Sequence, residues 1–425
     1  MKPTRKVSAF IAAGSAVLLT ASACGGSGGS DDPASQNVDA RGPITYVQGK
    51  DNNAVIRPII EKWNKAHPDE KVTFKEQTDE ADQQHDDLRE HFLAEDAGYD
   101  VVSVDVVWTA EFAAQGWLQP LEGDFAVDTS GMLQPTVDSG TYNNTLYTAP
   151  LHSDGGLLYY RSDLIKNPPK TWEEMMGMCD IAEQNNMACY AGQFAQYEGL
   201  TVNAAEAINT AGGDIVEDDG ITPAVDSQAA REGLQNLVDG FESGNIPAKA
   251  ITFTEEEGRQ MFQEGKLLFL RNWPYVYALA QTEGSSKVKG KFDVAPLPGV
   301  GSTVPGVSSL GGHNLGISVY SDNKATARDF LQFMISEQSQ KFFITNASLA
   351  PTLQTLYDDP ALVKKYPYLP TLETSIQNAE PRPVTPFYPA VTEAVQANAY
   401  AALKGTPVDK AISEMSKAIS AANTQ

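Results

Sequence analysis

The chain has 425 residues, with 55 acidic and 31 basic side chains and a formal net charge of −24. Hydrophobic residues make up 41% of the chain, and its length suffices for two domains of about 150 residues each. A chain this acidic repels nucleic acid and anionic lipid headgroups, so its composition argues against a nucleic-acid partner and favours a neutral or cationic ligand.

A short apolar segment at the N-terminus ends at Cys24. Three basic residues precede this segment: Lys2, Arg5 and Lys6. The apolar run, residues 7–19, is too short to span a bilayer, which needs about 20 residues. The segment resembles a bacterial lipoprotein signal peptide over residues 1–23. We therefore predict an exported protein that a lipid on Cys24 anchors to the outer face of the cell membrane.

The signal departs from the usual lipoprotein pattern at one position, where Ala21 stands in place of Leu. The alternative is ordinary cleavage after Ala23, which leaves Cys24 as a free thiol. Removal of the three basic residues with the signal brings the net charge to about −27. Residues 24–42 are rich in Gly, Ser, Asp and Pro, and we expect them to form a flexible tether after the lipidated cysteine.

The body of the chain begins with strands that alternate with helices. Short apolar runs predict strands, and apolar stripes at helical spacing predict helices. These elements are strands at 44–47, 71–74 and 100–104 and helices near 55–63 and 82–95. The second helix is expected to turn Leu88, Phe92 and Leu93 inward. The alternation indicates βαβ units in a mainly parallel sheet, and ligands of such sheets bind beyond the carboxyl ends of the strands.

The α/β pattern resumes after Pro150. The predicted elements are strands at 157–160 and 267–270, helices at 171–185, 229–241 and 326–343, a helix that ends at Gly265, a crossover loop at 299–312 and a C-terminal helix from Pro407. Thr171 and Glu174 have the spacing of a capping box at the start of their helix. We therefore predict an α/β fold for this part of the chain as well.

Two cysteines remain beyond Cys24, Cys179 and Cys189. In an oxidising compartment such a pair is expected to form a disulfide, and the alternative is two small buried side chains. A zinc site is not expected, because the chain lacks a Cys-x-x-Cys or His-Glu-x-x-His motif. No other metal or cofactor is predicted.

Several segments carry the polar and aromatic side chains of a binding site. The candidates in the first part of the chain are Asp105, where a strand meets a helix, and His152 and Asp154, which face the same way in an extended segment. Glu198 follows a turn, and Trp273 and Tyr275 flank a proline at spacing two. Aromatic faces stack on pyranose rings while carboxylates bind their hydroxyls. The alternatives are a helix cap or a turn for Asp105, a polar turn before a strand for His152 and Asp154, and core packing for Trp273 and Tyr275.

Two further segments complete the candidate site. The run Gly311, Gly312 and His313 brings backbone amides close to one point. Arg382 is held between two prolines, and a surface ion pair is its alternative role. The acidic run 255–257 is expected to be a solvated helix start, although one of its residues has room to face the site. We find no motif that supports catalysis.

The ordered motifs of the chain resemble the extracellular solute-binding proteins of carbohydrate ABC transporters, in the family that includes maltose- and trehalose-binding proteins. The motifs are Trp63–Pro68, Tyr99–Val102, Glu111–Leu118, Leu158–Leu164, Asn167–Glu174, Asn272–Tyr275 and Gly311–Gly312. The resemblance implies a two-lobed, maltose-binding-protein-like fold of type II with hinged lobes. It implies a first lobe of residues 43–150 and 311–353 and a second lobe of residues 151–310 and 354–425.

The same resemblance implies that sugar lies between the lobes. It places sugar contacts at Asp51, Arg89, Asp105, His152, Asp154, Glu198, Trp273, Tyr275, Gly311, Gly312, His313 and Arg382. Some members carry an aromatic residue where this chain has His152 and His313. The combination of side chains is closest to the trehalose/maltose branch, which implies an α-glucoside disaccharide as ligand.

The resemblance further implies a monomer that delivers sugar to a pair of permease subunits driven by a cytoplasmic ATPase, without catalysis. Three alternatives stay open at this point. They are a binding protein for another solute, such as a peptide, polyol or longer oligosaccharide, a secreted enzyme that acts on glycosides, and a surface scaffold with an empty cleft.

Overall fold

The computed structural model describes residues 32–422, so the predicted signal peptide and Cys24 lie outside the described range. Its strands are β1 (Ile44–Gln48), β2 (Val72–Glu76), β3 (Val101–Asp105), β4 (Thr141–Tyr142), β5 (Thr145–Leu146), β6 (Thr148–Gly155), β7 (Leu157–Tyr160), β8 (Ala188–Ala191), β9 (Leu267–Asn272), β10 (Asp293–Ala295) and β11 (Leu310–Ile317). β4 and β5 form a small hairpin, and the other strands form two sheets.

Helices cover both sheets. They are α1 (Ile56–Ala66), α2 (Ala81–Leu93), α3 (Thr109–Ala114), α4 (Gln134–Ser139), α5 (Trp172–Gly177), α6 (Cys179–Gln184), α7 (Glu198–Thr210), α8 (Gln228–Glu242), α9 (Glu255–Gln263), α10 (Tyr275–Thr282), α11 (Lys324–Ile335), α12 (Glu337–Ala347), α13 (Gln354–Tyr357), α14 (Pro360–Lys365), α15 (Leu369–Gln377), α16 (Tyr388–Leu403) and α17 (Val408–Ala422). Among residues 32–422, no helix combines the length and the apolar character that crossing a membrane requires.

The first lobe is built around a five-stranded sheet in the order β2-β1-β3-β11-β6. β1 pairs in parallel with β2 and β3, as the βαβ connections through α1 and α2 require. Side chains that follow one another in β1 enter different cores, Tyr46 on one face and Val47 on the other. The Tyr46 face packs on Ile59 and Trp63 of α1 and on α11, and the opposite face packs on α2 and α3.

The second lobe is built around a four-stranded sheet in the order β10-β7-β9-β8. β9 lies parallel to β8 and antiparallel to β7. Its residues Leu267–Leu270 are fully buried, because α-helices cover both faces of this sheet. The disulfide Cys179–Cys189 joins the start of α6 to β8 in this lobe.

Two paired strands lead from one sheet to the other. β6 and β11 run antiparallel at the edge of the first sheet, and β7 of the second sheet begins two residues after β6 ends. The predicted boundaries at 150 and 311 fall inside these strands, and the exact lobe limits stay a prediction. Both strands are buried along most of their length, which makes them a stiff connection on which hinge motion is expected to pivot.

Residues 32–42 pack against the first lobe. The buried Lys324 ammonium donates to the carbonyl oxygens of Pro33 and Gln36, and Arg41 forms an ion pair with Asp329 (2.7 Å). A buried ammonium needs such acceptors, because an unpaired charge inside a protein is very costly. The expectation of a flexible tether is therefore wrong for residues 32–42, and residues 25–31 lie outside the described range.

Four details of the predicted elements differ from the structure. The helix expected at 171–185 is two helices that meet at Met178, and the helix expected at 326–343 is interrupted at Ser336, whose side chain caps α12. The loop expected at 299–312 ends earlier, because Leu310 already belongs to β11. Leu93 is 59% exposed rather than turned inward, because it is the last residue of α2.

Candidate functional site

A cleft with an empty volume of about 1250 Å³, its open mouth included, lies between the two lobes. The loop after β1, the end of β3 and strands β6 and β11 form one wall, and the N-termini of α7 and α9 and the segment after β9 form the other. Eleven of the twelve predicted contact residues line it: Asp51, Asp105, His152, Asp154, Glu198, Trp273, Tyr275, Gly311, Gly312, His313 and Arg382. Segments distant in the sequence thus meet at one place.

Arg89 is the exception and a correction to the prediction. It is exposed on α2 and does not line the cleft. The same helix turns Gln84 toward the cleft, and five residues at 100° each place Arg89 about 140° around the helix from Gln84. Leu88 occupies the core-facing position beside it. The residues that α2 contributes to the site are therefore Ala81 and Gln84.

The floor of the cleft is a charged network that crosses between the lobes. Arg382 of the second lobe donates from Nη2 to Asp105 Oδ1 at the end of β3 (3.0 Å) and from Nη1 to Glu198 Oε1 on α7. Thr392 donates its hydroxyl hydrogen to the other carboxylate oxygen of Glu198 (2.7 Å). Burial raises the pKa of Glu198 against the opposing effect of Arg382. The network fixes Asp105 and Glu198 with their carboxylates toward the cavity.

Aromatic side chains form the wall of the second lobe. The Arg271 guanidinium lies 3.8 Å from the centre of the Trp273 ring and also binds Glu206 with two nitrogens. A cation buried against one indole face holds the ring in place. Tyr275 donates its hydroxyl hydrogen to Glu256 (2.6 Å), which fixes the second ring. Contacts within the protein therefore hold both rings in place.

The paired connecting strands supply the opposite wall. His313 pairs with both His152 and Asp105, and Gly311 pairs with Asp154, so these side chains cluster at one edge of the sheet. Gly312 has φ of +110°, and a Cβ there would lie 2.4 Å from the His152 carbonyl oxygen, so only glycine fits.

Burial controls the protonation of this wall. It lowers the pKa of His152 to about 3 and also lowers the pKa of His313, so both rings are neutral at physiological pH. Burial also raises the pKa of Asp154 to about 7, with Arg271 opposing and Asp105 reinforcing the shift. Within residues 32–422, His152 Nδ1, Asp154 Oδ1 and Arg382 Nε are buried polar atoms without a protein hydrogen-bond partner. All three belong to side chains that line the cleft, which leaves them free for a ligand.

Asp51 has a local role beside its place in the cleft. Its carboxylate accepts hydrogen bonds from the backbone amides of Val55 (3.1 Å) and Ile56 (2.7 Å) at the start of α1. These bonds satisfy amides that the first turn of a helix leaves unpaired. Asp51 therefore shapes the rim of the cleft through the loop it holds.

Several residues that line the cleft are not among those predicted from the sequence. Tyr197 donates its hydroxyl hydrogen to Glu255 (2.7 Å), and both line the cavity with Glu256. The acidic run 255–257 is thus a helix start of which two residues face the cleft. The sequence feature that indicates this orientation is the capping box. Glu257 bonds back to Thr254 and so sets which residues of α9 face the cleft. Other lining residues that sequence reasoning missed are Lys50, Asn52, Asn53 and Asp79.

The arrangement binds polar ligands without the groups of a catalytic site. Asp105 and Glu198 share Arg382, so neither carboxylate is poised as an acid opposite a free base. Among residues 32–422, no group of three or more His, Cys, Asp or Glu side chains is arranged to hold a metal ion. Flat rings face hydrogen-bonding groups across one cleft, and this mixture suits a ring-shaped ligand with many hydroxyls.

Comparison with known proteins identifies the family. Residues 48–341 match the family model of the bacterial extracellular solute-binding proteins. The chain belongs to this family. A probable ABC transporter-binding protein of Deinococcus radiodurans is 34% identical over 318 residues, which cover 72% of this chain and 75% of that protein. A galactooligosaccharide-binding protein of Bacillus subtilis is 25% identical over 402 residues, which cover 91% and 89%.

Solved structures of the family share the fold. A maltose-bound MalE3 from T. maritima superposes with a TM-score of 0.84 at 32% identity and covers 89% of this chain and 98% of its own. A solute-binding protein from Thermotoga lettingae superposes with a TM-score of 0.81 at 23% identity, which shows the fold alone. The two-lobed architecture and the resemblance to solute-binding proteins of carbohydrate ABC transporters are confirmed. These family members bind solutes and are not enzymes, so the glycosidase alternative is excluded.

Proposed function

We propose that this protein captures an α-glucoside disaccharide, trehalose or maltose, in the cleft and delivers it to the permease of its transporter. The observation that carries the proposal is the fixed ring of Trp273 opposite the buried carboxylates Asp105 and Asp154 in one cavity. A pyranose has an apolar face for the ring and hydroxyls for the carboxylates. The maltose carried by a structure that is 32% identical supports this choice.

Binding divides between stacking and hydrogen bonds. Trp273 and Tyr275 stack on one glucose unit, and sugar hydroxyls donate to Asp105, Asp154 and Glu198. Arg382 contributes chiefly through Nε, because both of its terminal nitrogens hold carboxylates. A hydrogen bond to a charged group contributes about 1.5–3 kcal/mol. Several such bonds, made only when the lobes close, give binding that depends on the pattern of hydroxyls.

A longer oligosaccharide is the second candidate. The Bacillus subtilis relative is named a galactooligosaccharide-binding protein, although it is only 25% identical. The trehalose and maltose proposal rests instead on the neighbour with the higher identity.

A screen of ligands tests the proposal. Thermal unfolding is followed with trehalose, maltose, maltotriose, galactose oligosaccharides, ribitol and a dipeptide, and calorimetry measures the affinity of each compound that stabilises the protein. At 100 times its Kd a ligand stabilises the folded state by about 2.7 kcal/mol. We expect maltose or trehalose to give the largest shift. Larger shifts with another compound reject the disaccharide assignment, and no shift with any compound supports a scaffold.

Two variants locate the binding site. Trp273→Ala and Asp105→Ala are each expected to raise the Kd of the disaccharide at least tenfold, because each removes about 1.4 kcal/mol or more of contact energy. Trp172→Ala removes an indole of the second lobe outside this cleft and serves as the control. Unchanged affinity in both test variants contradicts the proposed site.

Anchoring through Cys24 is part of the same proposal. The lipid on Cys24 keeps the monomeric protein beside the permease subunits, which an intracellular ATPase drives. Cys24→Ser is expected to release the protein from the membrane fraction into the medium, and Ser27→Ala in the predicted tether is expected to leave it on the membrane. Retention of Cys24→Ser on the membrane rejects lipidation at this residue.

A further inference from the structure

Tyr388 belongs to a helix of the second lobe, but its side chain packs into a core of the first lobe. It is the first residue of α16, which packs on α7, α8 and α17 of the second lobe. Its side chain is 1% exposed and lies in the cluster that covers one face of the first-lobe sheet. We name this group the first-lobe aromatic cluster, and its aromatic members are Phe92, Tyr99, Trp108, Phe112, Trp117 and Tyr388.

The Tyr388 hydroxyl reaches the charged network of the cleft. It donates to Glu198 Oε1 (2.5 Å), the same carboxylate oxygen that receives Arg382. Arg382 in turn binds Asp105 of the first lobe. Tyr388 thus connects the packing between the lobes to Glu198 directly and to Asp105 through Glu198 and Arg382. Both carboxylates line the cleft.

A third contact extends the same interface. Gln396, two turns further along α16, donates to Asp82 on α2 (3.3 Å). The contacts of Arg382, Tyr388 and Gln396 with the first lobe lie along one segment of the chain. If the lobes separate, this segment leaves the first lobe, and Tyr388 loses the burial of an aromatic side chain, which typically amounts to 150–250 Å².

We propose that Tyr388 is a positioning residue of the saccharide site, whose ring holds the two lobes together and whose hydroxyl fixes Glu198. The inference rests on the proposed function for its binding part, whereas the contact between the lobes is tested on the free protein. Tyr388 does not line the cleft, so it acts on a ligand only through Glu198 and through closure. Ligand binding then adds contacts between the lobes to those that Tyr388 and Arg382 make.

Two substitutions separate the ring from the hydroxyl. Tyr388→Phe keeps the ring, so we expect small-angle scattering of the free protein to match the wild type. It leaves Glu198 with one partner fewer, and the Kd for maltose is expected to rise about tenfold. Tyr388→Ala removes the ring as well. The free protein is expected to have a larger radius of gyration, and maltose to dissociate at least tenfold faster.

Val395→Ala is the matched control on the same helix. Val395 is fully buried, but it belongs to the core of the second lobe. The control therefore loses stability, as a core truncation does, without opening the cleft. An expansion of Val395→Ala equal to that of Tyr388→Ala overturns the proposal.

Two further results also overturn it. They are a free Tyr388→Ala protein that scatters like the wild type, and a Tyr388→Phe protein that binds maltose with wild-type affinity. If the wild type binds no saccharide, the proposed function fails. Scattering of the free variants still decides whether Tyr388 holds the lobes together.

Discussion

Glycine at position 311 leaves room for the indole of Trp273. An added Cβ would lie 2.8 and 2.9 Å from two atoms of that ring, closer than real Cβ atoms come. Gly311→Ala is therefore expected to displace the ring and to raise the Kd for maltose at least tenfold, measured by calorimetry and by tryptophan fluorescence.

Gly177→Ala is the control for this substitution, because its added methyl group meets no atom within 4 Å. It is expected to leave the affinity for maltose unchanged. A Gly311→Ala protein that binds maltose like the wild type would show that the position of the ring does not matter.

Asp154 makes stability depend on pH. Its pKa rises from 3.8 to about 7 on folding, mainly through burial. The folded state therefore holds this proton more tightly than the unfolded state, and stability decreases as pH rises from about 4 to about 7. Asp154→Asn removes the ionisation. The substitution changes the free energy of unfolding, and we expect this change to be more stabilising at pH 8 than at pH 4 by at least about 1 kcal/mol.

Urea unfolding of the ligand-free protein at the two pH values measures this difference. Glu90→Gln, on the exposed face of α2, is the control and is expected to show no such dependence. An Asp154→Asn effect that is equal at pH 4 and pH 8 would mean that burial does not hold the proton on this carboxyl.

At the scale of elements, sequence periodicity located most strands and helices of the first part of the chain. β1, α1, β2 and β3 begin within one or two residues of their predicted starts. The apolar residues of these elements serve to pack the core, so their spacing follows the period of the strand or helix. The breaks at Met178 and Ser336 escaped prediction. Apolar spacing continues across them, and only the tertiary packing shows that Ser336 ends one helix and caps the next.

Glycine-rich composition concealed β11. The sequence predicts that the run Gly311–Gly312 ends a loop, because glycine is uncommon inside strands. The structure explains it, since one glycine contacts Trp273 and the other adopts a positive φ against β6. In this strand the features that weaken the sequence signal are those that build the cleft.

The disulfide ties α6 to β8 and closes a short loop. A loop of this length is expected to stabilise the fold by about 2–4 kcal/mol through the entropy of the unfolded chain. The double variant Cys179→Ala and Cys189→Ala should therefore unfold at a lower urea concentration. Dithiothreitol should lower the wild-type midpoint and leave that of the variant unchanged. Equal midpoints for reduced and oxidised wild type would contradict this expectation.

At the scale of the whole molecule, the site depends on contacts that no local pattern contains. Arg382 and Asp105 are separated by 277 positions and meet only because the chain passes between the lobes. Local patterns offered each residue as a turn, a cap or a surface ion pair. The resemblance to a family brought them together, and it failed for Arg89, where only the phase of α2 decides which residue faces the cleft.

The acidic charge of the whole chain predicts which ligands enter. A neutral disaccharide gains nothing from the field of the protein, so its Kd is expected to change less than twofold between 50 and 500 mM NaCl.

An anionic analogue, maltose 1-phosphate, has to enter a cleft where Asp105, Asp154, Glu198, Glu255 and Glu256 lie close together. Repulsion in a partly dry site is screened weakly by salt. We therefore expect the phosphate to bind at least tenfold more weakly than maltose at both salt concentrations. Calorimetry of the two ligands measures this ratio. Binding of the phosphate with the affinity of maltose would show that charge plays no part in selection.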